Sequence, residues 1–267
     1  MVKVITINIL FKLEDWEHRR ELLVQGLAAE QADLIALQEV NLVQNTGDWL
    51  AEQLGMPYVY TVPFPAADHP GITYGIAILS RYPFVQQAAI DLQSQGRLAQ
   101  VVTVMINNQP VVLCNGHYYW HPGSHPERDR QIQTVLDYLE LQVGDQPVIA
   151  VGDFNGTPET SAIEQMRQRF TSAYAAYHGR EPDYTCPPPI APWDLREWLY
   201  RSLRTFLFNR TFIPWKGTLD YIFVSSAWQV QDCRLILTQP AQDRNLYPSD
   251  HFGIVADLSI VNLAVTN

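Results

Sequence analysis

The chain has 267 residues, of which 47% are hydrophobic, and its formal net charge is −10. This length and apolar content are enough to bury a large core, so we expect one domain over residues 1–267. The acidic balance opposes binding of a long polyanion, such as duplex DNA, over an extended surface, although a small phosphate ester remains compatible with it.

The start of the chain and its cysteines indicate a cellular compartment. Met1 leads directly into an apolar strand without the pattern of a signal peptide, and no apolar run approaches membrane-spanning length. Cys114, Cys186 and Cys233 lack the spacing of metal ligands. We therefore expect free structural thiols in a reducing, cytoplasmic compartment.

Two apolar strands in the first forty residues each carry a polar residue near their end. The first, residues 2–10, holds Asn8, and the second, residues 33–40, holds Glu39. An asparagine in this position is either a site residue or a local hydrogen-bonding residue that ends the strand. A carboxylate at the mouth of a buried strand is costly unless it meets a cation or hydrogen-bond donors. Both residues are therefore candidates for a site.

A helix is predicted between these strands, and a hairpin is predicted further along the chain. From Asp15 the apolar spacing is helical, with Arg19 on the face expected to be wet. The hairpin covers residues 98–115, with its turn at Asn107 and Asn108, and its second strand leads to His117. A lone histidine is more often a satisfied core or surface residue than a site residue, so His117 depends on its context.

The sequence VIAVGDFNGTP, residues 148–158, is the strongest local signal. An amphipathic helix at residues 128–141 precedes it, and its apolar strand breaks at Gly152 into a turn that presents Asp153 and Asn155. A carboxylate can orient or deprotonate a water or hold a metal, while an amide can donate to a phosphoryl oxygen. The structural alternative is an Asx turn followed by a helix start at residues 157–159.

Two further motifs lie near the end of the chain. A strand at residues 218–225 carries Asp220, and the stretch at residues 247–258 carries Asp250 and His251 before another strand. A histidine directly after an aspartate in a loop is a weak signal by itself. It gains weight only from the motifs that precede it.

The ordered set TINIL, LQEV, CNGH, GDFN, LDYIF and SDHF resembles the endonuclease/exonuclease/phosphatase superfamily of metal-dependent phosphoesterases. The resemblance spans residues 3–258, and the motifs are similar to those of its deadenylase and nocturnin-like branch. Members commonly carry Asn-Thr-His where this chain has Asn115, Gly116 and His117. The resemblance implies an α/β (α+β) fold, a four-layer sandwich of two packed mixed β-sheets flanked by helices.

The resemblance also assigns a role to each candidate residue. It implies that Glu39 is the principal ligand of Mg²⁺ or Mn²⁺, with Asn8 and Asp250 nearby. The implied catalytic roles are orientation or deprotonation of water, stabilisation of developing charge, and support of a histidine. Asp153 would orient or deprotonate the water. The developing charge would be stabilised by Asn155, His117 and His251, and Asp220 would support His251.

The predicted function is hydrolysis of a phosphodiester or phosphomonoester by in-line attack of an activated water. The alternatives are a nuclease acting on short single-stranded nucleic acid, a phospholipid phosphodiesterase in peripheral contact with a membrane, and a non-catalytic binding module of the same fold. A substrate-facing insertion is predicted at about residues 180–216. Its segment at residues 193–216 is rich in arginine and aromatic residues, which suit a nucleotide or an anionic membrane, whereas an ordinary core-packing helix is the structural alternative.

Overall fold

The computed structural model of the chain describes residues 1–64, 73–186, 216–242 and 245–261, together with Leu199 and Leu203. Most of the predicted insertion therefore lies outside the described residues. No helix in the described ranges is long and apolar enough to cross a membrane. The assignment of a single domain stays a prediction.

Twelve strands in the described residues form two six-stranded mixed sheets. The first sheet has the order β11-β12-β1-β2-β4-β3, with β1 and β2 parallel. Its strands are β1 (Val2–Asn8), β2 (Leu34–Asn41), β3 (Tyr58–Pro63), β4 (Tyr74–Ser80), β11 (Trp228–Ile236) and β12 (Gly253–Ile260). The second sheet has the order β5-β6-β7-β8-β10-β9, with β7 and β8 parallel. Its strands are β5 (Phe84–Asp91), β6 (Leu98–Ile106), β7 (Gln109–His117), β8 (Val148–Asp153), β9 (Thr171–Ser172) and β10 (Asp220–Val224).

Five helices connect these strands in the described part of the chain. They are α1 (Trp16–Glu30), α2 (Thr46–Leu54), α3 (Pro126–Tyr138), α4 (Ser161–Arg169) and α5 (Ala173–His178). Helix α3 begins two residues earlier than predicted because His125 caps it, its Nδ1 accepting from the backbone N–H of Glu127. A π-helical turn at Leu139–Val143 then continues it.

Three hydrophobic clusters define four layers. One lies between the sheets and contains inward residues of both, such as Val4 and Leu113. The second packs α3 and α4 against the outer face of the second sheet, and the third packs α1 and α2 against the first. A strand buried on both faces needs apolar residues on both, which explains the nearly continuous apolar runs of β1 and β8. The predicted sandwich fold is confirmed.

The predicted turn of the β6–β7 hairpin also agrees with the structure. Asn107 and Asn108 have φ values of 51° and 62° at the tip of the β6–β7 hairpin, as a tight two-residue turn requires. At Gly75 a Cβ atom would lie 2.2 Å from the carbonyl oxygen of Val62. Only glycine therefore allows β3 and β4 to approach this closely.

Candidate active site

Strand ends from both sheets converge at one edge of the sandwich and carry most of the predicted site residues. In the second sheet, Asp153 pairs in register with His117 on one side and with Asp220 on the other. Residues that pair across neighbouring strands project to the same face, so these three side chains lie side by side. Asn8, at the end of β1, donates from Nδ2 to Asp153 Oδ2 over 3.1 Å and links the first sheet to this group.

Asp153 is the central carboxylate of the group, and only 2% of its surface is exposed. Its Oδ1 accepts a hydrogen bond from the backbone N–H of Asn155 over 2.9 Å. Burial raises the pKa of Asp153 to about 7, and the Asp220 carboxylate adds to this shift while the His251 imidazole opposes it. A carboxyl group with a pKa near neutrality is suited to general base catalysis at physiological pH.

His251 is held from behind by a carboxylate and a hydroxyl group. Its Nδ1 lies 2.9 Å from Asp220 Oδ2, and the same oxygen accepts from the Thr185 hydroxyl over 2.5 Å. Because a carboxylate can only accept, Nδ1 of His251 carries a proton. Burial lowers the pKa of His251, but the negative charges of Asp220 and Asp153 outweigh burial and raise it well above the usual value. His251 is thus a cation whose Nε2 lies 3.9 Å from Asp153 Oδ2.

The partner of His117 is a cation, whereas the partner of His251 is a carboxylate. Nη1 of the Arg97 guanidinium lies 2.9 Å from His117 Nδ1. Burial, the Arg97 charge and the nearby His251 together hold the pKa of His117 well below its usual range, so the ring is neutral. Its Nε2 lies 3.5 Å from Asp153 Oδ2. Two histidines of different charge therefore approach the same carboxylate oxygen.

Glu39 lies at a β-bulge, where the pairing of β2 with β4 skips from Gln38 to Val40. Its φ of 58° falls in the left-handed region, which costs an L-residue about 1–2 kcal/mol. Bulges near functional sites re-aim a side chain in this way. The Glu39 Oε2 atom accepts from the backbone N–H of Phe11 over 3.2 Å.

The environment of Glu39 fits a divalent metal ion. Burial and the nearby Asp250 carboxylate raise the pKa of Glu39, so the ionised form of Glu39 is unfavourable without a cation. Asn8 contributes an amide oxygen, although its Oδ1 already accepts from the backbone N–H of Leu10 over 3.0 Å and has one lone pair left. Carboxylate and amide oxygens are hard donors of the kind that Mg²⁺ prefers. Glu39 and Asp250, with Asn8 beside them, are therefore the residues that could hold such an ion.

A second group of potential metal ligands consists of Asp153, Asp220 and His251, whose donor atoms lie within 4.8 Å of one another. Nδ1 of His251 is already bonded to Asp220 Oδ2, and the same oxygen accepts from the Thr185 hydroxyl, so these atoms are bonded to one another within the protein. This group is better suited to holding and transferring protons than to binding a metal.

Asn155 and an aromatic wall complete the site. Asn155 Nδ2 donates one hydrogen to the Tyr118 carbonyl over 3.0 Å, which leaves its second amide hydrogen for a ligand. On another side, the Phe64 ring lies 6.0 Å from the His117 ring and meets the edge of the Tyr74 ring at 5.3 Å. Apolar rings exclude water and so strengthen the electrostatic interactions beside them.

Arg19 was predicted to lie on the solvent-facing side of α1, and that prediction is wrong. Arg19 is fully buried, and its Nη1 donates to the carbonyl oxygens of Ile9 and Pro248 over 3.0 and 3.2 Å. It thereby ties together the loops that carry Asn8 and Asp250. The helical spacing does indicate burial of Arg19, because it follows Trp16 by three residues. The buried residues of α1 form one stripe, which consists of Trp16, Arg19, Leu23 and Leu27.

Three other buried residues of the site were missed. Arg128 donates from Nη1 to the carbonyl oxygens of Tyr119 and His121 over 2.7 and 2.9 Å and holds the loop that follows His117. Like Arg19, it lies on the buried stripe of its helix. Arg97 lies just before β6 and Thr185 lies in the chain before β10, so no buried helical stripe marks either residue.

The two packed sheets, with buried acidic and histidine side chains at one edge, define a protein of the four-layer α/β sandwich class. A model of the Endonuclease/Exonuclease/phosphatase family matches residues 5–251, and the chain belongs to that family. The resemblance drawn from the motifs is confirmed, including its similarity to the nocturnin-like branch.

Several known proteins are similar over most of the chain. Nocturnin of Homo sapiens is 26% identical over 265 residues, a match that covers 91% of this chain and 58% of nocturnin. The 2',5'-phosphodiesterase 12 of Bos taurus is 23% identical over 284 residues, covering 91% of this chain and 46% of the relative. The chain thus spans about half to three fifths of the length of these relatives. The solved human Nocturnin catalytic domain with bound sulfate anion superposes with a TM-score of 0.75 at 24% identity, covering 97% of this chain and 94% of that chain.

Proposed function

We propose that the protein is a divalent-metal-dependent hydrolase that cleaves a phosphate ester by in-line attack of an activated water. The observation that carries this proposal is the convergence on Asp153 Oδ2 of His117 Nε2 at 3.5 Å and His251 Nε2 at 3.9 Å. A base surrounded by fixed donors suits a reaction in which water loses a proton while negative charge grows on a neighbouring phosphoryl group.

Each side chain then has a role that follows from its protonation state. Asp153, with a pKa of about 7, orients the water and accepts its proton. His117 is a neutral donor and His251 a cationic donor to the phosphoryl oxygens, while Asp220 keeps His251 protonated. Asn155 contributes its free amide hydrogen.

Glu39 and Asp250, with Asn8 beside them, would hold Mg²⁺ or Mn²⁺. When bound, the ion supplies a Lewis acid that stabilises charge on the phosphoryl and leaving oxygens. Arg19 holds these residues in place, because its guanidinium donates to the carbonyl oxygens of Ile9, next to Asn8, and of Pro248, in the loop that carries Asp250.

The test is hydrolysis of bis(4-nitrophenyl) phosphate and 4-nitrophenyl phosphate with Mg²⁺, with Mn²⁺ and with chelator. We expect turnover that requires the metal, and a loss of roughly 10³-fold or more in the Glu39→Ala and His251→Ala variants. Glu140→Ala is the matched control, because that carboxylate pairs with Arg169 on the surface. Equal turnover in chelator contradicts the metal, and full turnover in both site variants contradicts the site.

A column of rings beside the site favours a nucleotide as the substrate. The Trp120 ring is 49% exposed and stacks on His121 at 4.3 Å, and Tyr119 lies on His121 at 5.1 Å. Nucleobases stack on such rings with about 1–3 kcal/mol per base. The relative named 2',5'-phosphodiesterase 12 and the structure of D. rerio TDP2 complexed with single strand DNA product are consistent with this class of substrate.

A substrate panel separates this proposal from the alternatives. We expect Trp120→Ala to raise KM for a dinucleotide by roughly tenfold while leaving bis(4-nitrophenyl) phosphate unaffected. Faster hydrolysis of anionic phospholipid vesicles than of dinucleotides would instead favour a phospholipid phosphodiesterase.

A further inference from the structure

The partner of His117 decides what this histidine can do. A guanidinium has donors and no acceptor, and it keeps its protons in proteins. Arg97 Nη1 lies 2.9 Å from His117 Nδ1, so the hydrogen between these nitrogens belongs to arginine and Nδ1 offers its lone pair. The single ring proton of a neutral His117 must then lie on Nε2, which faces Asp153.

Arg97 is fixed in this position from several directions. Only 5% of its surface is exposed, and its guanidinium lies 5.3 Å from the Phe64 ring and 5.9 Å from the Tyr74 ring. Such cation–π contacts offset part of the cost of removing the charge from water. Its backbone is held as well, because its carbonyl accepts from Leu92 over 3.0 Å and its N–H donates to Ser94 over 3.2 Å. The guanidinium therefore stays against the imidazole.

We propose that Arg97 is a positioning residue that locks His117 in the Nε2–H tautomer and makes it a permanent hydrogen-bond donor. This inference rests on the proposed function, in which His117 donates to a phosphoryl oxygen. It adds that His117 neither takes up nor releases a proton during the reaction, because a second ring proton on Nδ1 would face the guanidinium. Proton transfer is left to Asp153 and His251.

Loss of the lock has a specific chemical consequence. When Arg97 no longer donates to Nδ1, a neutral His117 ring populates both tautomers. In the tautomer with its proton on Nδ1, the lone pair of Nε2 faces Asp153 Oδ2 and the phosphoryl oxygens. That form repels the charge it should stabilise. The defect should appear in kcat, because the donor matters most when charge develops in the transition state.

The tautomer can be read directly by long-range ¹H–¹⁵N NMR of protein labelled at histidine, in which protonated and unprotonated ring nitrogens are well separated. His117→Gln identifies the His117 signals among the seven histidines. We expect an unprotonated Nδ1 and a protonated Nε2 in the unaltered protein, a mixture in Arg97→Met, and recovery of the lock in Arg97→Lys. Arg130→Met, which removes an exposed arginine that pairs with Glu127, is the control.

Turnover of bis(4-nitrophenyl) phosphate completes the test. We expect Arg97→Met to lower kcat by roughly 10-fold to 100-fold with little change in KM, and Arg97→Lys to restore most of it. In a His117→Gln background, where the amide supplies its own donor, Arg97→Met should cost nothing further.

Four outcomes would overturn the inference. They are a protonated Nδ1 in the unaltered protein, an unchanged spectrum in Arg97→Met, a changed spectrum with unchanged kcat, and a loss of equal size in the His117→Gln background. The last would mean that Arg97 acts on the substrate itself. The first outcome can be judged even if a variant fails to fold. Absence of hydrolysis of any phosphate ester by the unaltered protein, with the tautomer intact, would instead refute the proposed function.

Discussion

His251 Nδ1 lies 2.9 Å from Asp220 Oδ2, and both side chains are buried at the meeting point of β10 and the loop before β12. Because the Asp220 charge raises the pKa of His251, the protonated, active form of this histidine persists to higher pH than it would alone. On the alkaline side of the pH profile, the rate of hydrolysis should therefore fall as the pH rises through this elevated pKa.

Asp220→Asn should move the alkaline fall of the pH–rate profile to lower pH. The amide oxygen still accepts from Nδ1, but the negative charge is lost, so the pKa of His251 decreases and kcat falls by roughly 10-fold to 1,000-fold. The measurement is kcat/KM as a function of pH. Asp183→Asn is the control, since Asp183 forms an exposed pair with Arg180. An alkaline limb at the same pH in both variants would refute this role of Asp220.

Thr185 should contribute to stability through three hydrogen bonds. Its hydroxyl donates to Asp220 Oδ2 and accepts from the backbone N–H groups of Leu219 and Asp220 over 3.0 and 3.1 Å. Thr185→Val removes the acceptor of the two backbone N–H groups and one of the two hydrogen bonds to Asp220 Oδ2, and it should lower the free energy of unfolding by about 1–3 kcal/mol, measured in urea. Thr185→Ser keeps the hydroxyl and should lose much less, so equal losses in the two variants would rule out the hydrogen bonds as the cause.

Asp153 should make the metal-free protein less stable at higher pH. Its pKa of about 7 lies above that of an aspartate in the unfolded chain, so its contribution is fully present below about pH 4 and is lost as the pH rises from there through about 7. Chelator-treated protein should lose stability between pH 5 and pH 8, and Asp153→Asn should be more stable than the unaltered protein at pH 8 by about 1–3 kcal/mol. The two proteins should differ least below about pH 4, where the Asp153 side chain is neutral in both the folded and the unfolded chain. A variant less stable at pH 8 would show that the pKa of Asp153 is not raised.

Glu39 should couple metal binding to pH. Its pKa is raised by burial and by Asp250, and a metal ion binds only the ionised form, so the rise in melting temperature caused by Mg²⁺ should increase with pH. Glu39→Gln should abolish most of this stabilisation, as measured by thermal unfolding with and without Mg²⁺. Glu140→Gln serves as the surface control. Equal stabilisation of Glu39→Gln and the control by Mg²⁺ would place the ion elsewhere.

Much of the site was predictable because polar residues at strand ends interrupt apolar runs, as Asn8 and Asp153 do. Other residues of the site depend on which segments of the chain lie side by side. Continuing the register of β6 with β7, in which Ala99 lies opposite Gly116, places Arg97 opposite Tyr118 and so beside His117. The hairpin was predicted, and counting from its turn would have found this neighbour.

Thr185 has no comparable signal. It meets Asp220 because the chain returns to β10 after the stretch at residues 187–215, and no periodicity specifies where such a return occurs. The strain at Glu39 is also invisible in the sequence. A glutamate at positive φ contradicts local preference, and it is imposed by the bulge between Gln38 and Val40.

The glycine of the Asn115-Gly116-His117 motif has a structural explanation that can be tested. A Cβ atom on Gly116 would lie 2.4 Å from the ring of Tyr118, which is buried and stacks on Phe154 at 4.8 Å. The space that a threonine side chain would need is therefore filled by the tyrosine two residues later.

Gly116→Thr should accordingly lower the free energy of unfolding by roughly 1–3 kcal/mol, because the Tyr118 ring must leave its place against Phe154. Tyr118→Leu removes the ring and opens the space, so the double variant should be more stable than the sum of the two single losses predicts. Urea unfolding of all four proteins gives the coupling energy. Purely additive losses would show that the ring does not determine the choice of glycine. A favourable coupling would show that the Tyr118 ring occupies the space that a side chain at position 116 would need, directly beside His117.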